Sequence, residues 1–323
     1  METNFYSYDP EQAHQQKLNA ISTIRKHGNF TGAATLFFVI FAIAVVFALE
    51  LFDLSSRIMN DEVLSECFDI ALTFFGIFIP FFIVMLKVRR YHPDHSFELE
   101  KPKDKKLALW AIPTGLMLCL LGDKIASFIS AFFDYFGVEL TSTSSSLPNS
   151  GIAAVLYFLS VVVIAPLVEE FAMRAVTMQP LRKYGEKFAI VMTAFVFALM
   201  HQNMVQGIFA FIAGLVFGYV CILTGSVWCS IAIHCLNNFL SVVSMAVNES
   251  TAEGSSVVFY NFLVIAINVF GVIGAVMIIM NKNRPKLQKS ALKNLMIREK
   301  VAAFLFAPPM LIAIVIMAIN CLF

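Results

Sequence analysis

The stretch Val168–Glu169–Glu170–Phe171–Ala172–Met173–Arg174 sets two acids and a base inside the run Ile152–Val176, which is otherwise long and apolar enough to cross a membrane. A charged side chain near the centre of such a helix costs roughly 3 kcal/mol on insertion scales. An intramembrane ionisable cluster therefore needs partners, and by default marks a function. The rest of the chain supports the membrane reading. It is 59% hydrophobic with 33 Phe and only 14% charged residues, far from the make-up of an ordinary soluble domain.

Runs of about 17 to 25 apolar residues predict spans near Thr31–Phe52, Asp69–Val88, Leu107–Phe136, Ile152–Val176, Phe188–His201, Val205–Leu223, Val227–Ala246, Val257–Met280 and Phe304–Leu322. The expected fold is an all-α, polytopic transmembrane helical bundle of about nine spans, with eight as the alternative count. The third run is long for one crossing, and Gly122–Asp123–Lys124 is expected to mark an outer end, a break or a return along the interface. Four regions follow: 1–30, a polar N-terminal segment; 31–136, accessory helices; 152–247, a core holding the charged cluster; and 257–323, C-terminal helices with a basic loop at 281–300.

Basic residues cluster in alternate loops, as in Lys101–Lys106 and Lys282–Lys300, while Asp53–Glu66, Gly137–Gly151 and Asn248–Ser256 are acidic or rich in Ser and Thr. This alternation predicts a cytoplasmic N-terminus. Leu140–Ser150 reads as a flexible outer loop. Asn281–Lys300 reads as a topology determinant, with an interfacial helix on anionic lipid as the alternative. A net charge of +1 without a concentrated basic patch excludes a nucleic-acid surface. The first thirty residues lack the apolar core of a cleavable signal. Cys67, Cys119, Cys221, Cys229, Cys235 and Cys321 show no C-x-x-C spacing, which argues against a disulfide framework or a zinc ribbon.

Further polar groups interrupt the later spans: His201 four residues after Phe197, then Gln202 and Asn203, and Asn238 four residues after His234, beside Asn237. Residues four apart share a helix face, so three helices could aim their polar groups at one point. Counting from the nearest flanks at about 1.5 Å per residue places Glu170, His201 and His234 at hydrocarbon depth. Pro166 removes a backbone hydrogen bond just before the glutamates and predicts a kink. Adjacent helical residues point about 100° apart. Arg174 is thus expected to neutralise Glu170, leaving Glu169 as the freer carboxylate. Gly214–Leu215–Val216–Phe217–Gly218 is a G-x-x-x-G that allows close helix approach, and Cys235 is read as packing.

These three motifs, Glu169–Glu170–x–x–x–Arg174, Phe197–x–x–x–His201 and His234–x–x–x–Asn238, resemble the signatures of the CPBP intramembrane endopeptidases. That family includes the type II CAAX prenyl endopeptidases and the bacterial Abi, or bacteriocin-processing, proteins. The resemblance covers about Ile152 to Val247. It implies an endopeptidase, with Glu169 and His201 activating water, His234 and Asn238 facing the oxyanion, and Glu170, Arg174 and Phe197 in support. No cofactor is implied by that mechanism. The zinc alternative would use Glu169, Glu170, His201 and His234. The implied partners are a peptide or membrane-anchored protein substrate and the lipid bilayer. A bacterial cell membrane is the expected location, with peptide maturation, self-immunity or signalling as the role. A catalytically silent scaffold or bacteriocin-immunity protein is the second reading. A transporter would need a matching polar cluster in the first half, and 31–136 has none.

Overall fold

In the computed structural model, which describes residues 9–91, 100–138, 140, 146–249 and 254–322, Asp9 starts the first helix. Its carboxylate accepts from the Glu11 and Gln12 amides (2.9 and 3.2 Å), and Pro10 sits in the first turn, as N-terminal capping favours. Helix α1 (Pro10–Leu51) then runs unbroken for 42 residues, about 63 Å. The polar segment 1–30 is therefore not a separate tail from residue 10 onward. Its helical half is held by contacts: Lys17 pairs with Glu299 at 2.7 Å, Asn294 donates to the Ala13 carbonyl, and buried His27 bonds the Thr177 carbonyl at 2.9 Å.

The remaining helices are α2 (Ser55–Asn60), α3 (Glu62–Tyr91), α4 (Lys105–Tyr135), α5 (Gly151–Tyr184), α6 (Glu186–Met200), α7 (Met204–Thr224), α8 (Val227–Glu249), α9 (Ser255–Met280), α10 (Ile297–Leu305) and α11 (Pro308–Leu322). Seven of them, α1, α3, α4, α5, α7, α8 and α9, are long and apolar enough to cross a membrane, and the pair α10–α11, bent by 77°, makes an eighth. The chain is an integral, multi-pass, all-helical membrane protein. All nine expected runs are helical. The ninth by count, α6, spans 15 residues, and α10–α11 replaces the single straight span predicted over Phe304–Leu322.

Helix α4 continues through Gly122–Asp123–Lys124 without a break, so of the three readings of that triplet the break is overturned. The Asp123 and Lys124 side chains project outward, more than half exposed, so their charges stay solvated while the backbone remains helical. Residues 281–296 form turns and extended chain, not an interfacial helix. This strap is tied to the start of α6. The Glu186 amide donates to the Gln288 carbonyl, the Gln288 amide returns a bond to the Glu186 carboxylate at 2.8 Å, and Lys300 Nζ donates to the Tyr184 carbonyl at 2.6 Å. Of the predicted flexible loop Leu140–Ser150, residues 141–145 lie outside the described set. Its end is fixed, with Glu62 accepting from the Asn149 and Ser150 amides and Glu249 from that of Leu147.

Close backbone approach organises the packing. At Gly214 the α7 backbone comes against Ala194 of α6, and at Gly218 against Ile190 and Met178; the G-x-x-x-G thus serves contact within one chain. Gly32 of α1 lies directly on the Met310 backbone at the start of α11. Helix α5 is flanked by α3, α6 and α8, so side chains from four helices can converge on it.

Candidate active site

Pro166 and its surroundings shape α5. Residues Leu159–Ile164 and Phe171–Met178 are wound as π-helix, with a short α segment, Ala165–Glu170, between them. The Ala165 amide reaches back five residues to the Ser160 carbonyl. The kink expected at Pro166 is thus taken up by π-helical turns, which are frequent at functional sites.

Glu170 and Arg174 are both completely buried and paired, with Nε 3.0 Å from Oε2. The guanidinium also lies 5.7 Å from the Phe197 ring and 5.8 Å from that of Phe217, and its Nη1 reaches Thr193 Oγ1 at 3.5 Å. A desolvated pair in which both charges are compensated is stable only as a unit. Glu169 is different: its side chain keeps 20% exposure and has no part in that pair. The asymmetry matches the inequivalence expected from the helix geometry.

His234 stands between the two acids. Its Nε2 is 3.6 Å from Glu169 Oε2 and its Nδ1 3.5 Å from Glu170 Oε1, and its ring stacks on Phe217 at 4.7 Å with 24° between planes. His201 closes α6. Its Nδ1 is 2.8 Å from the Phe197 carbonyl. A carbonyl only accepts, so Nδ1 carries the hydrogen, and in the neutral ring Nε2 keeps a lone pair free to take a proton. Glu169 and His201 line one cavity of about 70 Å³, walled by Phe38, Ile77, Met173, Phe197 and Met200. That is room for a few waters at most.

Asn238 lies one turn beyond His234. Its Nδ2 donates to the Val161 carbonyl at 2.9 Å, while its Oδ1 accepts from Asn237 Nδ2 at 3.3 Å. All seven motif residues are thus gathered along α5, α6 and α8. Three contributors escaped the sequence: Phe217, Thr193 and the Val161 carbonyl. Phe217 was hidden among 33 phenylalanines; its place inside the G-x-x-x-G, where α7 comes closest to α6, was its one distinguishing sign.

Among the described residues no three His, Cys, Asp or Glu side chains are grouped as metal ligands. Glu170, a ligand in the zinc alternative, is already engaged by a guanidinium, whose charge opposes a second cation at the same carboxylate. The donor set does not fit a zinc site in which Glu170 is a ligand. A cavity of about 690 Å³ lies elsewhere, among Lys103, Gln179, Arg182, Glu186, Gly225 and Gln288, and holds none of the motif residues.

Residues 151–240 match the family model described as type II CAAX prenyl endopeptidase Rce1-like. The matched segment runs from the start of α5 into α8 and contains every motif residue above. No curated protein and no solved structure gives a match.

Proposed function

We propose that this chain is an intramembrane endopeptidase of the CAAX or peptide-maturation type. The observation that carries the reading is the 70 Å³ cavity shared by Glu169 and His201, within the segment similar to the CAAX endopeptidase family. A carboxylate and an imidazole with a free lone pair, facing one small space in an apolar wall, suit the activation of a single water. The Glu169 carboxylate takes a proton from that water, and His201 Nε2 accepts a hydrogen bond that orients it. The hydroxide adds to the peptide carbonyl carbon and forms a tetrahedral oxyanion. His234 donates to that oxygen. Collapse of the intermediate breaks the C–N bond, and the proton held by Glu169 passes to the departing amine. Arg174 holds Glu170 in place, so that His234 has a constant partner on one side. No step uses a metal.

The test is cleavage of a peptide library by purified, detergent-solubilised protein, compared with Glu169→Gln and His201→Ala, each with and without a strong chelator. Cleavage by the wild type, loss in both variants and indifference to the chelator are expected. Loss on chelation that zinc restores would replace this mechanism with a metal-dependent one. Absence of cleavage, with Glu169→Gln still supporting the cellular role, would leave a binding scaffold in place of an enzyme.

A further inference from the structure

Within the endopeptidase reading, on which this inference rests, Asn238 has a task that follows from Pro166, in place of the oxyanion contact that the family resemblance implies. In the π-helical register that begins at Leu159, each amide bonds the carbonyl five residues back, as Ala165 does to Ser160. The next bond in that register would run from residue 166 to the Val161 carbonyl, and Pro166 has no N–H to give. The other backbone candidate, the Ala165 amide, is engaged with Ser160. Val161 therefore has a carbonyl without a backbone donor, at a depth where an unsatisfied backbone group is costly and must be met by a neighbouring helix. Asn238 Nδ2, 2.9 Å away on α8, supplies that donor.

The rest of the amide is set accordingly. Since Val161 O only accepts, the NH2 group of Asn238 must face it. The Oδ1 then faces Asn237, whose Nδ2 donates to it at 3.3 Å, and Asn237 is itself nearly buried. Val161 lies one turn and a half before Pro166, and Glu169 follows three residues after. On the other helix His234 lies one turn from Asn238. The Asn238–Val161 bond thus ties the two strands of the site, Glu169 on α5 and His234 on α8, at fixed register.

We propose that Asn238 is a positioning residue that replaces the backbone donor lost at Pro166, oriented by Asn237, and that it acts on the reaction by holding His234 against Glu169. The rescue follows directly. With alanine at 166 the backbone regains an amide, and Val161 O is satisfied from residue 166 in the π register or from residue 165 in the α register. The need for Asn238 then falls away.

The experiment compares wild type, Asn238→Ala, Pro166→Ala and the double variant in detergent, by thermal midpoint and by kcat and KM on a cleaved library peptide. Asn238→Ala is expected to lower the midpoint and to lower kcat at least about tenfold with little change in KM, as misplacement of the reacting groups does. Pro166→Ala/Asn238→Ala is expected to recover most of both losses. If Asn238→Ala yields no folded protein, recovery of monodisperse protein in the double variant is the expected outcome. A double variant that cleaves no better than Asn238→Ala overturns the proposal. If the wild type cleaves nothing, the endopeptidase reading fails, and the midpoints alone decide this inference: non-additive midpoints support the capping role, and additive ones overturn it.

Discussion

Arg174→Met removes the only full positive charge on Glu170, and the structure sets the size of the effect. Both side chains are fully buried, and the guanidinium lies 3.0 Å from one carboxylate oxygen. What remains near the acid is His234, at 3.5 Å. Breaking a buried pair from one side costs about 3–5 kcal/mol, because the surviving charge is uncompensated, whereas replacing both partners by apolar groups of similar volume is close to neutral. Arg174→Met should therefore lose about 3–5 kcal/mol. Glu170→Met/Arg174→Met should lose about 1–2 kcal/mol, less than either single variant, so the two positions are strongly coupled. Reversible unfolding in detergent micelles, followed by circular dichroism for the four members of the cycle, measures this. A single variant within about 1 kcal/mol of wild type, or a double variant no better than the single, would refute the claim that Glu170 is held as a buried, Arg-neutralised carboxylate.

Glu169→Gln keeps the shape of a side chain outside that pair, so it should leave the unfolding midpoint within a few degrees of wild type while lowering kcat by roughly 10²–10⁴. Phe217→Ala should cost about 3–5 kcal/mol through the cavity it opens beneath His234 and Arg174, and Phe217→Leu should restore most of the stability but not kcat, as read by thermal midpoint against turnover. Glu186→Gln weakens both the strap bond to Gln288 and the pair with Arg182, so tryptic cleavage between Lys286 and Lys293 should quicken roughly tenfold, measured by mass spectrometry of timed digests. Gly32→Val cannot be accommodated against the Met310 backbone and should release α11 from α1, seen as loss of a disulfide cross-link between cysteines introduced across that contact.

The sequence carried the site further than it carried the fold around it. Glu170–Arg174 and His234–Asn238 are contacts within one helix turn, or side chains on one face, and such spacing is a local property. The expectation that Glu169 is the freer acid needed only the 100° step between neighbours. By contrast, the bond from Asn238 to Val161 joins residues 77 apart, and that from His27 to Thr177 joins residues 150 apart. No periodicity encodes such pairs. Hydropathy is silent on the contacts of the polar ends. Residues 10–30 are held by α10, the chain before it and the end of α5, and residues 281–296 bond with the α5–α6 turn. The continuity of α4 past Gly122 is hidden for a related reason: a charge on a long helix interrupts an apolar run without interrupting the backbone.

Helix α6 holds a consequence for the bilayer itself. Fifteen residues measure about 22 Å, short of a hydrocarbon layer of about 30 Å. Its two ends are polar, Gly185–Glu186 bound to the strap at one and His201–Gln202–Asn203 at the other, with Gln202 clamped by Asn320 of α11 at 2.7 Å. Ten of its fifteen residues are nevertheless buried against other helices, so little of α6 faces lipid. A helix enclosed in this way can present His201 without itself spanning the hydrocarbon layer.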